Sequence, residues 1–184
     1  VRSHQNAARA RAEGRFAEQL VPVAIPSRKG EPVIFDHDEG YRPDASMETL
    51  GKLAPIDLKR DPQAIVTAGN ASQQNDAAAA CLVVAEEKLA ELGLEPMLWF
   101  GGWAAAGCDP ARMGIGPVPA VERLFARCGL GWDDIGLVEL NEAFAAQVLA
   151  VLKGWGWSED DSRLEILNVN GSGISLGHPI GATG

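Results

Sequence analysis

Apolar positions in this chain recur over short stretches, so the pattern predicts many small elements rather than a few long ones. The clearest is Val121, Leu124, Phe125 and Cys128 at i, i+3, i+4 and i+7, with Arg123 and Arg127 opposite. That spacing predicts a helix ended by Gly129, with Cys128 in the core. A second helix is expected after Asn141, acting as its N-cap, with Phe144, Val148, Leu149 and Leu152 as its stripe. Ser3 would cap an alanine- and arginine-rich surface helix ending near Gly14, and Glu86 to Leu92 a short one closed by Gly93. One helical turn fits Met47 to Lys52. The runs Leu20 to Ile25, Val33 to Phe35, Ile65 to Thr67, Leu98 to Phe100, Leu137 to Leu140 and Leu164 to Leu167 read as strands. Pro22 makes the first of these an edge strand. Ala77 to Val84 is continuously apolar, and periodicity does not decide between strand and helix there.

Two polar corners stand out against this background. Asn141 follows one strand run directly, and the glycine-dense stretch from Asn168 to Gly184 follows another. In that stretch His178 precedes Pro179, a residue suited to the first turn of a helix, so His178 is expected at a helix start. Corners of this kind lie at the carboxyl ends of neighbouring strands, where open α/β sheets bind ligands. Gly173 to Gly177 also fits the G-x-S-x-G pattern of serine hydrolases. That pattern requires an acid and then a histidine later in the chain, whereas His4 and His37 lie upstream and His178 is three residues from Ser175. A hydrolase is therefore set aside. Asp36, His37, Asp38 and Glu39 offer metal-binding atoms without a second ligand group at a helical or hairpin spacing, so they read as a solvated acidic loop and no metal site is expected. Gly69 and Asn70 suit unusual backbone angles, and Ser72 suits a cap.

Composition narrows the classes. With 184 residues, 46% hydrophobic and 22% charged, the chain resembles a globular cytoplasmic enzyme of one domain or parts of two, divided near Gly93 to Pro96. A net charge of −9 argues against a nucleic-acid partner, although helix starts and local lysines still allow an anionic ligand. Cys81, Cys108 and Cys128 are widely spaced, which disfavours disulfides and structural zinc and fits a reducing compartment. No apolar run approaches the roughly 20 residues of a membrane span. Val1 is an unusual first residue, and Gly184 falls just after an expected helix start, so a segment of a longer polypeptide is expected.

Asn141-Glu142-Ala143-Phe144 and Gly177-His178-Pro179-Ile180-Gly181-Ala182-Thr183-Gly184 resemble the NEAF and GHP motifs of the thiolase family. Gly14-Arg15-Phe16, Val66 to Ser72 and Met113 to Pro117 extend the similarity collinearly over essentially the whole chain. The resemblance implies an α/β thiolase fold of duplicated mixed five-stranded sheets layered with helices, incomplete here. Residues 1–72 would end the loop domain, 73–94 the N-terminal core half, and 95–184 would form most of the C-terminal half. Implied too is reversible cleavage of a 3-oxoacyl-CoA to acetyl-CoA and a shortened acyl-CoA through an acyl-cysteine, with both catalytic cysteines outside this sequence.

By the same resemblance His178 activates the nucleophile and donates to the thioester oxygen, while Asn141 holds a water that completes the oxyanion hole. Ser72 contacts the pantetheine arm with Ala68 nearby, and Ala143 and Phe144 line its channel. Coenzyme A is then substrate and product; no metal or redox cofactor, nucleic acid or membrane is implied, and the assembly is a homodimer or homotetramer. Gln73 and Gln74 replace a commoner small-residue pattern and are expected to alter the acyl pocket. The alternative is a noncatalytic CoA- or acyl-CoA-binding protein derived from a thiolase.

Overall fold

Local stop and start signals set most helix ends in the structure, a computed structural model describing residues 1–183. Gly184, the last residue of the GHP motif, lies outside the described residues. Helix α1 spans Arg2–Ala12, and β1 (Val23–Ile25) pairs antiparallel with β2 (Val33–Phe35), Val23 facing Phe35 and Ile25 facing Val33. Helix α2 (Met47–Gly51) begins with a reciprocal cap: the Thr49 N–H donates to Ser46 Oγ at 3.1 Å and the Ser46 N–H to Thr49 Oγ1 at 3.0 Å. Helices α3 (Leu89–Leu92) and α4 (Pro117–Cys128) both stop at a left-handed glycine, Gly93 and Gly129. Helix α5 spans Ala145–Gly154 and α6 the four residues Gly173–Leu176.

The buried stripe of α1 is Ser3, Asn6, Ala7 and Ala10, spaced i, i+3, i+4 and i+7 but made of small and polar side chains. A stripe of that kind lets another backbone come close, and α1 packs on α6. Ser3 is not the cap, which falls at Val1; its Oγ donates to Ser175 Oγ at 2.8 Å. The remaining core lies around α5, where Leu140, Val148, Val151, Trp157 and Leu167 are buried and Trp132 and Trp155 flank them. Trp132 meets the Trp157 ring edge-on at 4.8 Å between centroids.

Several expected elements are absent among the described residues. The runs at 65–67 and 98–100 form no strand, and 162–166 is a 3-10 helix, with only Leu167 reaching a parallel bridge to Val138. The run at 77–84 is neither helix nor strand. Helix α4 leaves Cys128 exposed rather than in the core, because Val121, Leu124 and Phe125 form its half-buried side. Gly69 and Asn70 keep ordinary backbone angles. A Cβ on Gly69 would lie 2.6 Å from Leu53 Cδ1, so a larger residue there would have to displace the ends of the Leu50 and Leu53 side chains.

A common cause underlies the missing strands. A strand is stable only when its backbone groups are paired and one face is covered, and among the described residues the paired strands are β1 and β2, so the mixed sheets are incomplete here, as expected. Leu82 and Val83 are each 88% exposed, Leu98 89% and Phe100 79%. The accessible surface is 13688 Å², against about 8,500 Å² for a compact monomer of this mass.

Isolated residues 1–184 should therefore bind a hydrophobic dye and self-associate at micromolar concentration, and replacing Leu98 and Phe100 together by lysine should lower both signals. Light scattering and dye fluorescence check this; a monodisperse, dye-silent monomer would contradict it.

Candidate active site

Three chain segments meet at the two polar corners, and main-chain hydrogen bonds hold them. From residues 70–73, Asn70 O accepts from the Ala145 N–H at 2.8 Å, the Ser72 N–H donates to Ala143 O at 2.9 Å, and Ala71 bridges Phe144 antiparallel. One residue further along, Gln73 O accepts from the His178 N–H at 3.0 Å. Ser72, Ala143, Phe144 and His178 thus share one small region. Asn141 joins it from the side: a Cβ on Gly173 would lie 2.8 Å from Asn141 Oδ1 and 2.9 Å from Glu142 O, so only glycine admits this approach. Gly177, at φ +104°, turns the chain out of α6 toward His178.

Asn141 is not the helix cap. Helix α5 starts four residues later with Phe144 at its N-cap position, so the Asn141 amide is released from capping. Nor does His178 begin a helix: α6 ends before it, and a single turn over residues 179–183 follows, with Ala182 N–H donating to Pro179 O at 2.8 Å. What fixes the imidazole is Thr183, whose Oγ1 lies 3.0 Å from His178 Nδ1 and donates to Pro179 O at 3.0 Å. When the hydroxyl donates to that carbonyl, the contact is made by a hydrogen on Nδ1 and the lone pair of the ring lies on Nε2.

A buried polar network underlies the Asn141 corner. Asn168, 2% exposed and at φ +47°, accepts from the Leu140 N–H through Oδ1 at 2.8 Å and donates to Leu140 O through Nδ2 at 2.8 Å. Its own carbonyl accepts from Asn6 Nδ2 at 2.9 Å, and Ser172 Oγ donates to Leu140 O at 3.1 Å. Glu142 is buried, taking a 3.3 Å bond from Asn168 Nδ2 on Oε1, while Oε2 has no partner among the described residues. Burial, reinforced by the Glu142 charge, raises the Glu139 carboxyl above its usual range. Sequence reasoning missed Asn168, Ser172 and Glu142 as site-builders; an asparagine closing an apolar run before a glycine was the available signal.

Ala68, two residues before Asn70, lines a cavity of about 290 Å³ with His4, Arg42 and Leu53, and Ser72 is not part of that lining. The larger cavity, about 670 Å³, is walled by Glu142, Val148, Trp157 and Ile174, and its lining includes neither Ser72 nor His178. Neither cavity is bounded by Ala143 or Phe144, and the Phe144 ring is 39% exposed. Gln73 lines neither of these two cavities, and its Nε2 reaches the carbonyls of Gly40, Ile174 and Ser175. Cys108 lies against Gly116 and Cys128 against Gly102. His37 bonds Asp36 at 3.0 Å, which holds that carboxyl below its usual range, and among the described residues no cluster of three metal-ligating side chains occurs. No helix among them is long and apolar enough to cross a membrane.

Residues 1–87 match the family model "Thiolase, N-terminal domain" and residues 94–184 match "Thiolase, C-terminal domain". The chain is 48% identical over 184 residues to an acetyl-CoA acetyltransferase of Chromobacterium violaceum, covering all of this chain and 45% of that protein. It is likewise 48% identical to a beta-ketoadipyl-CoA thiolase of Pseudomonas knackmussii, covering 44% of that protein. Among solved structures, the acetyl-CoA acetyltransferase of Bacillus anthracis superposes with a TM-score of 0.84 at 44% identity, over 99% of this chain and 44% of that one. Human mitochondrial 3-ketoacyl-CoA thiolase superposes with 0.80 at 34% identity, over 98% and 43%. The chain spans a little under half the length of these relatives.

Two outcomes follow from the site geometry. Gly173→Ala should push Asn141 and the Glu142 carbonyl aside and cost about 1–3 kcal/mol in stability, measured by urea unfolding, because backbone is what the new methyl would strike. His4 is buried and its Nδ1 accepts from the Arg42 N–H at 3.1 Å; burial first, then nearby positive charge including Arg42, lowers its pKa below 6.5, with Asp44 opposing. The folded state therefore binds fewer protons at His4 than the unfolded chain. Its contribution is complete above pH 6.5 and is lost as pH falls through the lowered folded value. His4→Gln should flatten the fall of the thermal midpoint between pH 6.5 and 5; an unchanged slope would exclude His4 as its source.

Proposed function

The chain belongs to the thiolase family, and from that premise we propose that its two corners form the acid–base and CoA-binding part of an acyl-CoA C-acyltransferase. The observation that supports this most directly is the meeting of Ser72, Ala143, Asn141 and His178 in one region. In the proposed reaction a cysteine thiolate from outside residues 1–184 attacks the 3-oxo carbon of a 3-oxoacyl-CoA. The bond to the 2-carbon breaks, acetyl-CoA leaves after protonation at that carbon, and the acyl-cysteine passes its acyl group to the thiol of a second CoA. Condensation runs the same steps backward.

His178 Nε2, unprotonated in the neutral ring, takes the proton of the attacking thiol and, once protonated, donates toward the developing oxyanion. Asn141, free of capping, orients a water toward the same oxygen without adding a charge that changes during the reaction. Ser72, Ala143 and Phe144 border the path of the pantetheine arm, with Ala68 nearby. CoA serves as substrate and product, no metal or redox cofactor takes part, and the enzyme works as a homodimer or homotetramer in the cytoplasm, in lipid metabolism such as fatty acid β-oxidation.

A second reading has one observation in its favour. Among the described residues the side-chain partner of His178 is Thr183, and none of Cys81, Cys108 and Cys128 hydrogen-bonds it, which fits a noncatalytic CoA- or acyl-CoA-binding protein on the same fold.

One experiment separates the two. In the native polypeptide carrying these residues, incubation with acetoacetyl-CoA should add an acetyl group to a cysteine, seen by intact mass. His178→Ala and Asn141→Ala should each lower kcat for thiolysis by about 100-fold or more while CoA still binds. Normal turnover in both variants would reject these roles, and CoA binding without acylation would favour the binder.

A further inference from the structure

Helix α6 has only four residues: Gly173 O accepts from the Gly177 N–H at 3.0 Å, while Ile174 O and Ser175 O lie too near its end for a partner within the helix and are met from outside. Gln73 supplies that partner. Its Nε2 lies 3.2 Å from Ile174 O and 3.1 Å from Ser175 O at the end of α6, and 2.8 Å from Gly40 O on a separate loop. The amide carries two hydrogens for three acceptors, so one goes to Gly40 and the other is shared by the two α6 carbonyls. The same residue's main-chain oxygen accepts from the His178 N–H at 3.0 Å. Through one side chain and one carbonyl, Gln73 therefore holds both the helix that delivers His178 and His178 itself.

The surroundings are shaped for this contact. A Cβ on Gly40 would lie 2.7 Å from Gln73 Oε1 and 2.9 Å from Ser175 O, so the loop comes this close only with glycine. On the other side of the turn, a Cβ on Gly177 would fall within 2.9 Å of all three atoms of the Asn75 amide group. Ser72, directly before Gln73, is fixed to Ala143 by its own N–H. The segment is therefore immobilised at one end on the Asn141 corner and at the other on the His178 corner.

We infer that Gln73 is a positioning residue, whose side-chain amide closes the end of α6 and sets the place of His178 relative to Ser72 and Ala143 without touching substrate. Its consequence for turnover rests on the acyltransferase reading above, whereas its hold on His178 does not. Gln73→Met keeps the length and removes the donors. Gln73→Glu keeps the length and presents a carboxylate to three carbonyls, regaining one donor when protonated.

Amide hydrogen exchange in the native polypeptide carrying these residues tests the hold directly, with the Val151 amide as a reference for global opening. In Gln73→Met the His178 amide should exchange about tenfold faster relative to Val151, the size of one net hydrogen bond. In Gln73→Glu protection, corrected for intrinsic rate, should return as the introduced carboxyl protonates at acid pH, and in Gln73→Met it should not. Unchanged His178 protection in Gln73→Met, or equal acceleration at Val151, would overturn the inference. In the native polypeptide, Gln73→Met should lower kcat by about tenfold with KM for CoA within about twofold. Intact protection loss with no thiolysis in the unsubstituted protein would instead locate the failure in the acyltransferase reading.

Discussion

Burying an amide side chain away from water is costly unless each of its groups finds a partner, and the site is arranged around one that does. Asn168 pairs both halves of its amide with the N–H and C=O of Leu140, so a side chain stands where a neighbouring strand would otherwise place its backbone. The left-handed conformation of Asn168, one that asparagine tolerates better than most residues, turns the chain immediately afterwards toward Gly171 and α6. Asn141 is one residue beyond Leu140 and Ser172 is four beyond Asn168. The same pair of hydrogen bonds therefore sets the separation of the two corners. Asn6 on α1 closes the network by donating to the Asn168 carbonyl.

Close approach does the rest. Small residues on α1 let α6 lie against it, and glycines at 40, 173 and 177 admit neighbours that any Cβ would displace. The short helix is satisfied at its start by Ser175 and Ser172, where the Ser172 N–H reaches Ser175 Oγ at 3.3 Å, and at its end by Gln73. His178 inherits its position from this chain of contacts, and its ring is held by Thr183.

Bonding of this density is local. Outside the α1, α5 and α6 region the chain runs through long stretches in which apolar side chains face solvent, from Leu82 to Phe100 in particular. Such runs have the composition of buried strands and none of the partners that would make them so. The corner geometry stands without them because main-chain and amide hydrogen bonds, rather than a closed sheet, hold it.

Several features were fixed by local chemistry and were therefore readable in the sequence. Helix α4 and its glycine stop, α3 and Gly93, the β1–β2 hairpin and the turn at α2 depend on residues within a few positions of each other. The NEAF and GHP residues identified the family because their chemistry is tied to their order. Tertiary structure decided the remainder. Whether 65–67 or 98–100 became strands depended on a partner strand, which propensity does not supply. The polar stripe of α1 escaped a hydrophobic pattern because its burial comes from hydrogen bonds and small size. Gln73 read as a change in an acyl pocket, yet it caps a helix a hundred residues away, since an amide's role is set by which carbonyls the fold brings within its reach.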